Sequence, residues 1–464
     1  MNFASITQVY LIGIGGIGMS ALARYFNYLG KSVCGYDKTT SDLTQELENA
    51  GIPVHYEDLI ECIPFSVKNA ARDELLVIYT PAIPKEHLGL NWFLNKGVGI
   101  YKRSQVLGII SEAFTTIAVA GTHGKTTTST IAAHLLHQSE AGCSAFLGGI
   151  SVNYQTNLLL AESQNLVVEA DEFDRSFLTL HPTFSIVTST DPDHLDIYGE
   201  AKFVRQSYLD FTNKLKKGGR LLVKNGLDII PDITVPFYTY EVISSGEKQK
   251  ADFCGVIKEV ADGAFVFDLV SPLGVFSNLE FAYPGRHNVE NAVAALGVSL
   301  MAGASESKIR KSLANFKGVK RRFEFRVRKN NVVYIDDYAH HPRELEACIS
   351  AVREIYPHRK ISGVFQPHLY TRTRDFADAF AKSLDLLDEV ILLEIYPARE
   401  LPIEGVSSDW LLSKLKNPNR CLVQKENLLL KIKETKPEVL LTLGAGDIDR
   451  FVTPIALMLD EELY

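Results

Sequence analysis

Thr115-Thr-Ile-Ala-Val-Ala-Gly121-Thr122-His123-Gly124-Lys125-Thr126-Thr127-Thr-Ser-Thr-Ile131 decides how the chain is read. An apolar, β-branched run stops at Gly121, and a helix pattern begins where Lys125 and Thr126 follow Gly124. Such a strand, loop and helix cradle phosphate. Glycines bring the backbone close, exposed N–H groups and the helix dipole favour an anion, lysine adds a point charge, and the Thr126 hydroxyl suits a magnesium ligand. The common pattern has a further glycine where Val119 stands here. A nucleoside triphosphate is the expected ligand.

Working outward, 464 residues exceed what one core holds and predict about three domains. A hydrophobic share of 46% and a charged share of 22% describe an ordinary globular chain rather than a disordered one. The net charge of −8 argues against nucleic acid or a membrane surface as partner, which need a basic face. Cys34, Cys62, Cys143, Cys254, Cys348 and Cys421 stand singly, without metal-type pairs, as in a reducing compartment. With no leader-like or membrane-length apolar run, the expected location is cytoplasmic.

Upstream, residues 9–12 read as a buried strand, followed by Gly13-Ile-Gly15-Gly16-Ile17-Gly18-Met19 and a helix over 20–29. A second strand, 32–36, ends at Asp37, about twenty residues past the glycines, as in a dinucleotide fingerprint. The glycines suit a diphosphate and Asp37 a ribose hydroxyl, which fits NAD or any nucleoside diphosphate. Strand-like 75–79 continues the alternation to about residue 107.

Downstream, strand 165–168 leads into Glu169-Ala-Asp171-Glu172, and strand 184–188 into Asp191-Pro-Asp193-His194. Ligands of parallel sheets bind off the carboxyl ends of strands, so Thr126, Glu169 and His194 are expected to meet as a metal and phosphate site. Residues 252–283 alternate as added antiparallel strands. His287, Asn288 and Asn291 then open an Ala-rich helix, where the two asparagines either face a purine or cap the helix. The basic run from Lys317 to Lys329 is either a solvated face or holds one arginine finger, Arg321 or Arg322. Strands at 332–335, 361–365, 390–395 and 439–443 form another doubly wound unit, with Asp337, Tyr338, His340, His368 and Arg372 near strand ends.

Taken in order, Gly13 to Met19, Gly121 to Thr126, Glu169 to Glu172, Asp193-His194-Leu-Asp196, Gly285-Arg-His287-Asn288-Val-Glu-Asn291, Arg321-Arg322-Phe323, Asp336 to Pro342 and Phe365-Gln-Pro-His368 resemble the motifs of the Mur ligase family. The resemblance covers nearly the whole chain. It implies an α/β protein of three domains: a Rossmann-like UDP-sugar domain (1–107), a central P-loop ATPase with extra antiparallel strands (108–320), and a Rossmann-like amino-acid domain (321–464) that closes over the site. The implied reaction is ATP-dependent: the lactyl carboxylate of UDP-N-acetylmuramate is phosphorylated, and L-alanine attacks the acyl phosphate. By motif, Gly15, Gly16, Ile17, Gly18 and Asp37 hold the UDP-sugar. Gly121, Thr122, His123, Gly124, Lys125, Thr126, Thr127, His287, Asn288 and Asn291 hold ATP, and Thr126, Glu169 and His194 hold metal. Lys125, His194, Arg322, Asp337 and His340 are the implied catalytic groups, with Tyr338, His340 and Arg372 on the amino-acid side. Magnesium is the expected ion, and the imidazole admits manganese. A monomer or homodimer is expected. Leu369 stands where relatives commonly carry Arg, Ser189 where Asn is usual, and Thr80-Pro81 where Ser-Ser is usual. The alternatives are a recycling ligase that adds a ready-made tripeptide, and a nucleotide-gated regulatory protein without turnover.

Overall fold

The computed structural model describes residues 3–193, 195–261, 263–398 and 400–461, with backbone alone at 195 and 196. It contains three sheets. The first comprises β1 (Gln8–Ile12), β2 (Ser32–Tyr36), β3 (Val54–His55), β4 (Leu75–Tyr79) and β5 (Ile100–Lys102). Their order is β3-β2-β1-β4-β5, with every pair parallel. Side chains alternate across a strand, so Val9, Leu11, Leu76 and Ile78 enter one core while Tyr10, Ile12, Leu75 and Val77 enter another. This explains the near-continuous apolar runs, since helices cover both faces of a parallel sheet.

The second sheet comprises β6 (Thr115–Ala120), β7 (Ser144–Ser151), β8 (Thr156–Leu159), β9 (Asn165–Glu169), β10 (Phe184–Val187), β11 (Arg220–Lys224), β12 (Phe237–Ser244), β13 (Phe253–Ala261), β14 (Ala264–Ser271) and β15 (Gly274–Phe281). The order is β15-β14-β13-β12-β11-β10-β6-β9-β7-β8. After β6 the chain builds β7, β8 and β9 on one side of it and then β10 on the other, with β9 and β10 both parallel to β6, which makes the carboxyl end of β6 a topological switch point.

The third sheet comprises β16 (Glu324–Arg328), β17 (Val333–Asp337), β18 (Ile361–Phe365), β19 (Glu389–Leu392), β20 (Arg420–Leu422) and β21 (Val439–Leu443), in the order β16-β17-β21-β18-β19-β20. Only β16 runs antiparallel to its neighbour. Its core includes Tyr334, Val364, Ile391, Leu440 and Ile455.

The chain divides into two compact units. The first is Met1–Val256 with Asp268–Ser277 and Asn291–Leu313, and the second is Ile257–Phe267 with Asn278–Glu290 and Ala314–Tyr464. The strands expected at 32–36, 75–79, 361–365 and 439–443 have those bounds. Others shift: the strand expected over 332–335 is Val333–Asp337, and that over 184–188 ends at Val187. The first helix starts at Ile17, three residues early, with Gly16 as its N-cap in an extended conformation. The strand expected over 390–395 ends at Leu392. The division expected after residue 107 falls inside the helix Arg103–Glu112. Among the described residues no helix is long and apolar enough to cross a membrane.

Candidate active site

The first unit builds its site at the end of β6. Val119, where a glycine was looked for, is a fully buried strand residue paired with Glu169, and the loop proper begins at Gly121. Gly121 has φ +138°, and a Cβ there would lie 2.0 Å from Thr188 Oγ1. Gly124 has φ +79°, and its Cβ would lie 2.7 Å from Asn291 Oδ1. Both positions therefore demand glycine, for conformation and for space. The helix Lys125–His137 starts directly after, so the N–H groups of Lys125, Thr126 and Thr127 face the loop mouth without intrahelical partners. Asn291 accepts from Thr128 Oγ1 at 3.1 Å, so it braces the loop from behind.

The tail of β10 scaffolds the loop. Ser189 Oγ accepts from His123 N at 2.8 Å, Ser189 O accepts from Thr122 N at 3.3 Å, and Thr122 Oγ1 donates to Asp191 O at 2.7 Å. His123 Nε2 is 3.4 Å from Asp191 Oδ2.

Lys125 Nζ donates to Gly121 O at 2.7 Å and stands 2.8 Å from Glu172 Oε2. Burial alone would lower the lysine pKa, but the carboxylates of Glu172, Glu169 and Asp171 outweigh it and hold the ammonium above its usual range. Burial pushes the Glu172 carboxyl up to about 7 in spite of Lys125. Glu169, at the end of β9, has its Oε2 buried with no hydrogen-bond partner. It fits there because position 148 is glycine: a Cβ at Gly148 would lie 2.1 Å from that oxygen. Thr126 Oγ1 makes no hydrogen bond among the described residues. An orphaned carboxylate oxygen and a hydroxyl are hard oxygen donors, a set that fits magnesium. His194, the third expected ligand, lies outside the described residues.

The glycine loop of the first sheet sits in the same unit. Asp37 accepts from Gly15 N at 2.8 Å and from Thr39 N at 3.2 Å, closing the loop at the end of β2. Gly16 caps the helix Ile17–Tyr28, and Asn157 Nδ2 donates to Ile17 O and to Ser20 Oγ in that helix's first turn.

The second unit carries the other expected residues. Gly285 has φ +95°, and the His287 ring lies where its Cβ would be. Asn288 Nδ2 donates to Pro284 O, tying the first turn of the helix Arg286–Met301 to the chain just before it. The two arginines meet different groups. Arg321 Nε donates to Asp336 Oδ2 at 3.0 Å and its Nη2 to Gly444 O at 2.9 Å, so it is committed to the fold. Arg322 lies 4.9 Å over the Tyr338 ring, in a segment whose flanking residues Arg321 and Phe323 have φ +60° and +46°. Asp337 accepts from Phe323 N and Ala339 N, both at 2.7 Å, so it holds the segments bearing Arg322 and His340. Burial pushes its carboxyl up to about 6, against the pull of Arg322. His340 Nδ1 is 3.0 Å from Tyr338 O and 3.2 Å from Glu344 Oε2, its ring is 6.0 Å from that of His368, and His368 Nδ1 is 3.5 Å from Arg372 Nη1. Leu369 is buried at φ +69° just before the helix Tyr370–Leu384, so it packs rather than meets an anion.

Local sequence pattern does not mark Glu172, Gly148 or Arg103 as site residues. Glu172 lay inside the quoted acidic run, and Gly148 in a glycine pair within a strand pattern, a sign of close approach. Arg103, the first residue of an ordinary helix, carries no local signal.

The model of the Mur ligase family catalytic domain matches residues 8–115, that of the Mur ligase middle domain residues 119–299, and that of the Mur ligase glutamate ligase domain residues 321–446. The UDP-N-acetylmuramate--L-alanine ligase of Flavobacterium johnsoniae is 48% identical over 463 residues, covering 100% of both chains. The crystal structure of the UDP-N-acetylmuramate-alanine ligase MurC of Thermotoga maritima superposes with a TM-score of 0.80 at 26% identity, over 98% of this chain and 99% of that one. A murein peptide ligase of Psychrobacter arcticus shares the fold, with a TM-score of 0.72 at 20% identity over 99% of this chain and 100% of its own. Glycine loop, phosphate loop and arginine pair all fall within the matched segments, and the chain belongs to the Mur ligase family.

Proposed function

We propose that this chain is an ATP-dependent ligase that joins L-alanine to the lactyl carboxylate of UDP-N-acetylmuramate, giving ADP and phosphate, in peptidoglycan precursor synthesis. The observation that carries the reading is the phosphate loop itself: a buried Lys125 beside an orphaned Glu169 oxygen. Full-length identity of 48% to an L-alanine ligase supports the choice of amino acid. The working division is a UDP-sugar domain over 1–107, an ATP domain over 108–320 and an amino-acid domain over 321–464.

In the first step a lactyl oxygen attacks the γ-phosphorus and ADP leaves. Little covalent help is needed, so positioning and charge neutralisation do the work. Main-chain N–H groups at 121–127 hold the β- and γ-phosphate oxygens, Lys125 swings from Glu172 to the same oxygens, and Arg322 offsets charge on the transferred group. Thr126 and Glu169 would hold a magnesium ion, which neutralises phosphate charge and, when bound, favours in-line geometry. In the second step the neutral amine nitrogen of alanine attacks the acyl carbon, the C–N bond forms, and phosphate departs with the C–O electron pair and takes up the proton that the nitrogen sheds. Asp337 keeps the Arg322 and His340 segments in place, and Tyr338, His340 and Arg372 face the amino acid and acyl phosphate.

Phosphate release from ATP is the test, with UDP-N-acetylmuramate present, L-alanine or the murein tripeptide added in parallel, and Lys125→Ala as control. Alanine-dependent release that the variant loses supports the reading. Release with tripeptide alone points to the recycling ligase, and release with neither overturns turnover altogether.

A further inference from the structure

Arg103 is the first residue of the helix Arg103–Glu112, and three contacts fix where that helix begins. Lys102 Nζ pairs with Asp174 Oδ2 at 2.6 Å, Thr179 Oγ1 donates to Ser104 O at 2.8 Å, and a Cβ at Gly108 would lie 2.4 Å from Thr179 O. The helix is therefore flush against the 173–179 turn. From this anchored start the Arg103 side chain crosses the first turn of the helix Ile17–Tyr28. A Cβ at Gly18 would lie 2.6 Å from Arg103 Nη1 and 3.0 Å from its Cδ, so Gly18 is glycine to let a guanidinium pass. Among the described residues the partner of that guanidinium is distant: Nη2 to Asp171 Oδ2 is 3.5 Å, and Nε and Nη1 make no hydrogen bond. Arg103 also lines one cleft with Glu169, Asp171 and Ser176.

The geometry points to Arg103 as the side-chain cation that binds the diphosphate of the UDP-sugar, at the mouth of the glycine loop and on the side facing Glu169. This rests on the reading of that loop as a UDP-sugar site. The N-terminal N–H groups of a helix carry only about half a charge between them. A diphosphate needs more, and a planar guanidinium offers two parallel donors that match two phosphate oxygens. The same group lies between Gly18 and the cleft of Glu169, so it orients the sugar nucleotide with its reacting end toward the phosphate loop.

Calorimetric binding of UDP, UDP-N-acetylglucosamine and UDP-N-acetylmuramate to the full chain tests this, with ADP as control. Arg103→Ala is expected to weaken all three uridine nucleotides roughly 10- to 100-fold, the worth of a charge-assisted pair, and to leave ADP unchanged. Arg103→Lys should recover part of the loss, because it keeps the charge and not the fork. Asp171→Asn should leave UDP binding as tight or tighter. Unchanged UDP binding in Arg103→Ala, or an equal loss for ADP, overturns the assignment. So does a loss confined to UDP-N-acetylmuramate, which would put the guanidinium on the lactyl carboxylate. If Asp171→Asn reproduces the loss, Arg103 acts only through that pair. A parent protein that binds ADP but no uridine nucleotide would instead remove the UDP-sugar reading itself.

Discussion

Lys125 Nζ stands 2.8 Å from Glu172 Oε2, with both side chains nearly buried, at 14% and 4% exposure. The lysine that should meet a phosphate is thus already paired, and a nucleotide must compete with a carboxylate for it. Glu172→Gln removes the competitor and keeps the shape. It should tighten ADP binding roughly tenfold, about 1.4 kcal/mol, in a calorimetric titration. Unchanged or weaker binding would show that Glu172 does not compete for the ammonium.

Gly148 leaves room for the Glu169 carboxylate. In Gly148→Ala the new methyl displaces that carboxylate while β7 remains paired. Turnover should fall roughly 10- to 100-fold, as when a supporting group around a metal ligand is disturbed. The melting temperature should move little, and a variant with full turnover would mean that Glu169 need not occupy this position.

The two adjacent arginines should separate in experiment. Arg321→Ala strands Asp336, which is 0% exposed, though Thr442 Oγ1 still donates to it at 2.6 Å. The cost should be roughly 2–3 kcal/mol of unfolding free energy, below the 3–5 of a fully buried pair because Arg321 is 20% exposed. Arg322→Ala should lower turnover roughly 1,000-fold and cost less stability than Arg321→Ala, because Asp337 keeps its Phe323 and Ala339 N–H donors. Denaturant curves and phosphate release on both variants check this, and equal stability losses would count against it.

Asp337 sets a pH dependence. Burial raises its carboxyl from 3.8 to about 6, so the folded chain holds this proton more tightly than the unfolded chain does. Its contribution to stability therefore falls as pH rises from about 4 through 6, and the cost is complete above that. Relative to Asp337→Asn, the parent should lose about 1.4 kcal/mol of stability between pH 5 and 7. Urea unfolding of both proteins at those two values measures it, and parallel pH profiles would contradict the shift.

Much of the fold was legible along the chain, because buried parallel strands are short apolar runs bounded by glycine and polar residues. β2, β4, β18 and β21 were readable to the residue on that ground. The phosphate loop was legible for a related reason: Gly121, Gly124, Lys125 and Thr126 are local in sequence, and their chemistry follows from a strand and a helix that adjoin them.

What the sequence by itself determined was the strand and helix alternation, the two glycine loops and the family. Only the tertiary structure decided which arginine is structural, why position 148 is glycine, that Lys125 is held by Glu172, and that Arg103 crosses Gly18. Each of these depends on contacts between residues from 15 to 85 apart in the chain. Side chains that far apart meet only through sheet order and helix packing, which no local pattern of apolar and polar residues encodes.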